Sequence, residues 1–391
     1  MQLTRTSEKL SRTILFNAER REVPFSAPVD SGHFSLILLR CGCGQITIRL
    51  RDGSEASVPM QSPVAVCLRN GESVIETPEA CDVYNVVFSP TFINVNMKLN
   101  LLAEEVYRHL SAVHYLFSLA PFMDEIKEGK EWYLSQNLRK VELTSFDGIT
   151  LRADVFEAEN PKGIILLMHG YRTNALNDFT LVYSFYHNLG YHLIAPDQRA
   201  CGKSDGEYIT LGMKERFDCQ AWANFAAKEF GEDLPLILDG ISMGASTVMM
   251  ASALPLPKNV SGIIADCGFT SPYEVVLSVL KATHIPVFPN LQIAEFFARR
   301  FAKFSFKDAS SIDAMKQCRY PILFIHGKKD DFVPFEMSER NYEACISEKK
   351  RFFHVDEAGH GMCYLSKREE LQNEIIAFFD DCQTFFKNER K

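Results

Sequence analysis

No stretch of 18 consecutive apolar residues occurs in the 391-residue chain, so no segment reads as a membrane-spanning helix. The N-terminal MQLTRTSEKLSRTILFNAER carries positive charge without a continuous apolar run or a small-residue cleavage site, so no secretory leader is expected there. Positive charge is not in excess: 42 Lys and Arg stand against 50 Asp and Glu, a net charge of −8, and no basic cluster interleaved with aromatics appears. Nucleic acid is therefore not an expected partner. Complete metal-ligand motifs are missing as well. Cys41 and Cys43 form a lone C-x-C with neither a second pair nor a histidine cluster, and His33 is the sole histidine before His109. No metal is expected. The 11 cysteines are odd in number, and most stand singly in apolar runs (Cys67, Cys219, Cys267, Cys318). That is the pattern of reduced buried thiols in a cytoplasmic protein rather than of a disulfide framework.

What the chain does have is bulk enough for two domains, with 46% hydrophobic and 24% charged residues able to build a large core. From about Phe34 to Phe88, short β-forming runs (FSLILLRC, QITIRL, SPVAVCL, VYNVVFS) alternate with DG and NG turns, which predicts an all-β sandwich or small barrel. Residues 96–119 place Leu99, Leu102, Val106, Leu110 and Val113 at three- and four-residue steps, an amphipathic stripe that must pack on a neighbour or a second copy. After Glu131 the pattern changes. KVELTSF and ITLRADVF predict a hairpin about Asp147-Gly148, and apolar strands then alternate with helices near 177–189, 212–229 and 243–253. Such alternation predicts βαβ units and a mostly parallel sheet, with sites beyond the C-terminal ends of the strands.

Three of those strand ends carry residues that fit one chemistry. In LILDGISMGAST, Ser242 sits between a strand and a helix with Gly240 two before it and Gly244 two after, as a sharp turn between close-packed elements demands. The helix N-terminus behind it favours developing negative charge. A serine hydroxyl needs a base in hydrogen-bond reach and a group that orients the base. On such a scaffold these follow in the order acid, then histidine. Asp330 follows the strand ending at His326-Gly327, and His360 lies in a Gly-flanked loop after the strand ending near Val355. Asp331 is the less favoured neighbour of Asp330, His354 lies within a strand, and Asp197 and Asp266 come too early and read as loop or helix caps. The backbone N–H groups of Tyr171, after the strand ending at His169-Gly170, and of Met243 are the candidate oxyanion donors. Between Asp266 and Pro321 a connection rich in helical stretches and prolines predicts a cap over roughly residues 270–318, with Phe288, Leu291 and Phe297 among the candidates for its apolar underside.

MHGYRTN, APDQRACGKSDGEY, DGISMGAS, IADCGFTSP, LFIHGKKDDFVP and EAGHG, over about residues 140–385, together resemble the α/β-hydrolase superfamily, most closely its serine esterases and acyl hydrolases. The resemblance implies an α/β-hydrolase fold with Ser242 as nucleophile, Asp330 as acid, His360 as base and the Tyr171 and Met243 N–H groups as oxyanion hole. Cys201 departs from the His or Gly usual in that loop. FSLILLRCGCGQITIRL and SPVAVCLRNGESVIETPE resemble the cupin-type sensing domain of AraC-family regulators, although no helix-turn-helix region follows residue 120. The organisation expected is therefore a cupin-like β domain at 1–95, a helical linker or dimerisation segment at 96–131 and a hydrolase domain at 132–391. The expected activity is hydrolysis of a small, apolar or aromatic carboxylic ester without a cofactor. A thioesterase, an amidase or peptidase with the same triad, or a ligand sensor with a hydrolase-fold module are the alternatives. A homodimer through the N-terminal region is a further expectation.

Overall fold

The computed structural model describes residues 122–282 and 286–390, and the strand backbone within residues 7–88. The chain divides into two compact units, residues 1–117 and 118–391. In the first, the described strands pair antiparallel in a five-stranded and a four-stranded sheet; Cys81–Phe88, for instance, lies between Ile14–Arg21 and Phe34–Arg40. The likeness of residues 1–95 to a sensing domain rests on side chains outside the described residues. Cys41, Cys43 and His33, and the helical stripe of 96–119, lie outside them too.

Elements of the second unit are numbered from its start. Helix α1 (Met123–Ser135) runs across the 131/132 boundary expected from the sequence. Its Tyr133 hydroxyl donates to the buried Asp154, and the ring meets Phe156 and Tyr183 edge-on. One eight-stranded sheet follows, made of β1 (Arg139–Thr144), β2 (Thr150–Phe156), β3 (Gly163–Met168), β4 (Tyr191–Asp197), β5 (Leu236–Ile241), β6 (Val260–Asp266), β7 (Ile322–Gly327) and β8 (Lys350–Val355). Its spatial order is β1-β2-β4-β3-β5-β6-β7-β8. β1 pairs antiparallel with β2, and β2 with β4; every later pairing is parallel. At the expected hairpin the Gly148 N–H donates to the Ser145 carbonyl at 3.0 Å, and Gly148 takes a φ of 87°.

Parallel strands covered on both faces must be apolar throughout, and GIILLM of β3 is buried at every position. Alternate residues serve opposite faces. Ile164, Leu166 and Met168 join Trp222 of helix α4 (Glu215–Phe230) and Val248 of helix α5 (Met243–Ala251). Ile165 and Leu167 join Tyr183 of the short helix α3 (Tyr183–Asn188) and Phe378 of the C-terminal helix α11 (Arg368–Glu389). Each such side chain, fully buried, contributes about 1.5–3 kcal/mol. Helix α11 presents Leu371, Ile375, Phe378, Phe379, Cys382 and Phe386 as one buried stripe of three-, four- and seven-residue steps.

The helix expected near 177–189 is two pieces, α2 (Ala175–Phe179) and α3. Between β6 and β7, where the sequence leads one to expect a cap, stand α6 (Pro272–Ala282), α7 (Val287–Phe297), a π-helical turn (Ala298–Ala302) and α8 (Ser311–Met315). The remaining helices, α9 (Phe335–Ala344) and α10 (Cys363–Ser366), follow β7 and β8.

Candidate active site

Ser242 stands between β5 and α5 with φ 56° and ψ −116°, a backbone region in which a residue bearing a Cβ is strained by about 1–3 kcal/mol. The flanking glycines make that turn possible. A Cβ on Gly240 would lie 2.3 Å from the backbone of Gly244, and one on Gly244 would lie 1.7 Å from the carbonyl oxygen of Met168. The Ser242 N–H donates to the Asp266 carbonyl at 2.7 Å, and the Ser246 N–H to the Ser242 carbonyl at 3.1 Å, so the turn is pinned on both sides. A serine at the N-terminal boundary of a helix ordinarily caps it with its hydroxyl. Ser242 makes no such bond.

Its Oγ instead lies 2.9 Å from His360 Nε2, while His360 Nδ1 lies 2.6 Å from Asp330 Oδ2. The other oxygen of Asp330 accepts the Phe332 and Val333 N–H groups at 2.9 and 2.8 Å, which fixes the carboxylate in the loop between β7 and α9. Burial by itself would raise the Asp330 carboxyl. The charge of His360 and hydrogen bonds from His326 and His360 outweigh it and hold the group well below the usual carboxylate range. For His360, burial disfavours the cation, but the Asp330 charge and hydrogen bond prevail and the imidazole titrates above its ordinary value. Of the competing residues, Asp331 is exposed and His354 reaches out to Asp356 at 3.9 Å. Asp197 accepts the Ala175 and Lys203 N–H groups, as a loop-closing carboxylate does. Asp266 is pushed up to about 6 by burial.

The loop after β3 brings Gly170 against the serine: a Cβ there would sit 3.4 Å from Ser242 Cβ. Tyr171 follows at once, with the Arg172 guanidinium 5.2 Å from its ring centroid. Met243 is the first residue of α5, where backbone N–H groups have no partner within the helix. Two residues that sequence reasoning missed shape this loop. Asp178 of α2 accepts the Gly170 N–H at 2.6 Å and the Thr173 hydroxyl at 2.8 Å. His169 Nε2 accepts the Gln198 N–H at 2.8 Å, so its proton sits on Nδ1 and is donated to the Gly170 carbonyl at 2.7 Å. Its burial lowers the imidazole's pKa and keeps it neutral.

The three cap candidates fall in different surroundings. Leu291 is 2% exposed and packs in one buried cluster with Ala298, Ala302, Phe304, Phe306, Met213 and Met250. Phe288 is 75% exposed, and Phe297 stacks on Phe301 with ring centroids 5.6 Å apart. The described hydrogen bonds and ring contacts tie none of the three to Ser242 or His360. Phe332, unmarked by any sequence pattern, meets the His360 ring edge-on at 5.2 Å and packs with Met243, Phe269 and Val333. Cys267 Sγ lies 3.9 Å from His360 Nε2, its thiol pushed up by burial. Cys267, Asp330 and His360 bring donor atoms within 4.8 Å of one another, a spacing open to a metal ion, but both imidazole nitrogens of His360 are already engaged by Asp330 and Ser242. Cys201, the departure noted above, is buried and its thiol is pushed up to about 12 by that burial.

A strand order of 1-2-4-3-5-6-7-8, the strained serine turn after β5 and helices on both faces decide the architecture. The fold is that of the α/β hydrolases. The family model described as "Serine aminopeptidase, S33" matches residues 159–317, a span that takes in Ser242 but ends before Asp330 and His360. The chain is 27% identical over 218 residues to the uncharacterized protein YqkD of Bacillus subtilis, covering 56% of this chain and 71% of that protein. It is 25% identical over 235 residues to the lysophosphatidylserine lipase ABHD12 of Rattus norvegicus, covering 58% and 57%. Among solved structures, the Pyrococcus furiosus esterase Pf2001 superposes with a TM-score of 0.52 at 22% identity, over 63% of this chain and 93% of that one. The likeness to the solved esterase agrees with the α/β-hydrolase fold of the second unit.

Proposed function

We propose that the chain is a serine hydrolase cleaving carboxylic esters of a small, apolar or aromatic substrate through an acyl-enzyme. One observation carries the reading: a serine hydroxyl released from helix capping lies 2.9 Å from an imidazole whose far nitrogen is held at 2.6 Å by a carboxylate. Ser242 Oγ attacks the acyl carbon while His360 takes its proton. Asp330 holds the imidazole in the tautomer with the proton on Nδ1 and stabilises the imidazolium that forms. The N–H groups of Tyr171 and Met243 receive the oxyanion, and loss of one such donor costs about 3–4 kcal/mol in the transition state. His360 then gives its proton to the leaving alcohol, and water releases the acyl group by the reverse route. Side chains and backbone donors suffice for these steps, so no cofactor is called for. Phe332 and the exposed side of the cap, Phe288 and Phe297 included, are assigned to the apolar wall.

An amide substrate is the second reading, favoured by the description of the matching family model. A thioester substrate would use the same residues. A cytoplasmic location and a homodimer through the N-terminal region belong to the proposal as well; among the described residues no helix is long and apolar enough to cross a membrane. The deciding experiment is intact mass after fluorophosphonate treatment of the wild type and Ser242→Ala. A single adduct confined to the wild type is the expected result, and an unmodified, folded wild type would sink the reading. A matched panel of esters, thioesters and anilides then separates the bond types.

A further inference from the structure

The carboxylate of Asp330 serves a second histidine. His326, next to last in β7, is wholly buried and places Nε2 3.0 Å from the same Oδ2 that holds His360. Nε2 also lies 3.0 Å from the Val333 carbonyl oxygen, which can only accept, so this nitrogen carries a proton. Its other nitrogen, Nδ1, faces the Ser338 hydroxyl of α9 at 2.6 Å, and the Phe335 ring closes the remaining side edge-on. The ring therefore has one orientation and one role toward Asp330, that of a donor. Ser242, His360, Asp330, His326 and Ser338 form one unbroken hydrogen-bonded chain.

We propose that His326 is a positioning residue of the site, setting the basicity of His360 through the carboxylate the two rings share. The proposal rests on the reading of Ser242, His360 and Asp330 given above. A donor aimed at Oδ2 draws off part of the negative potential that would otherwise act on the His360 imidazolium. Removing it leaves the Asp330 charge less compensated. The His360 cation is then better stabilised, and Ser242 loses its base at pH values where the wild type retains it. The other groups facing His360 and Asp330 are Asp266 and Cys267 at the end of β6, Asp178 from α2 and Cys363 from α10. They remain in place in a variant at His326 alone.

The full-length chain, labelled with 15N in its histidines, is titrated by NMR with His360 assigned through His360→Gln. In His326→Leu the His360 midpoint is expected to rise by about 0.5–1 unit. His326→Gln, whose amide N–H reaches toward the same oxygen, is expected to bring it back toward the wild-type value. The rate of fluorophosphonate labelling of Ser242, read below the wild-type midpoint, falls correspondingly by about 3- to 10-fold in His326→Leu. Rescue by glutamine is the readout a purely structural role would not give. Should His326→Leu fail to fold, the wild type decides the matter, because the His326 ring signals must inflect at the His360 midpoint. An unmoved midpoint in the folded variant, or flat His326 signals in the wild type, overturns the proposal. A shifted midpoint without any labelling of the wild type establishes the coupling and removes the hydrolase reading instead.

Discussion

Ser242 holds two unfavourable positions at once, a strained φ of 56° and a hydroxyl withdrawn from the helix end it would normally cap. Both place Oγ at His360, and that placement has a pH signature. Because Asp330 raises the His360 pKa, the neutral base appears only above the ordinary imidazole range, and activity disappears as pH falls through the raised value. Asp330, held low, stays ionised throughout that limb. The expected kcat/KM profile thus has one acidic limb with its midpoint above about 6.5, measurable with any turned-over ester. Asp330→Asn removes the charge and favours the wrong tautomer; kcat is expected to fall by about 10⁴-fold with the circular dichroism spectrum unchanged, whereas a loss below about tenfold would remove Asp330 from its assigned role. The meeting of Ser242, Asp330 and His360 was legible because strand ends, glycines and chain order mark them in one dimension. Asp178, His326 and Phe332 were not. Each acts through a contact made only when distant segments meet: the Gly170 N–H for Asp178, the shared carboxylate for His326, the imidazole face for Phe332.

Elements are tied together in this unit by buried charge as well as by apolar faces. Arg199, in the loop after β4, donates to both oxygens of Asp218 on α4 at 2.6 and 2.7 Å and to Asp147 of the β1–β2 turn at 2.9 Å. Arg199 and Asp218 are both almost fully buried, with side chains 4% and 1% exposed. Arg199→Ala leaves Asp218 buried without its partner and is expected to destabilise the unit by about 3–5 kcal/mol in chemical denaturation. A change under about 1 kcal/mol would mean that water reaches the pair. The strands were readable from their continuous apolar runs, but the break between α2 and α3 was not. There the Tyr183 hydroxyl takes the Ala175 carbonyl at 2.7 Å, and Gly129 of α1 packs so closely on Thr180 that a Cβ would meet its carbonyl oxygen at 2.3 Å. The Gly129 contact comes from outside the local pattern. The cap behaves similarly: Met213 and Met250, far away in sequence, decide that Leu291 turns inward while Phe288, Phe296 and Phe301 stay exposed.

At the scale of the whole molecule, residues 118–391 contain everything the proposed chemistry uses. Both core clusters on the faces of the eight-stranded sheet are built from residues of this unit, and the Ser242, His360 and Asp330 bonds close within it. Helix α1 docks on the sheet through Tyr133 and Trp132, the latter stacked on Phe156 with ring centroids 5.8 Å apart, so a fragment that keeps this helix keeps those contacts. A chain of residues 118–391 is therefore expected to unfold cooperatively and to label at Ser242 with the rate constant of the full-length protein. A fragment beginning at 139 should melt at a lower temperature, since it exposes Phe156 and Tyr183 and leaves Asp154 without the Tyr133 hydroxyl. If the 118–391 chain folds but labels several-fold more slowly, the N-terminal unit takes part in the site, and the assignment of the oxyanion loop and cap to a self-sufficient hydrolase unit fails. If the rates agree while turnover of larger esters differs, the N-terminal unit acts on substrate choice. Its contribution then belongs to binding rather than to activation of the serine.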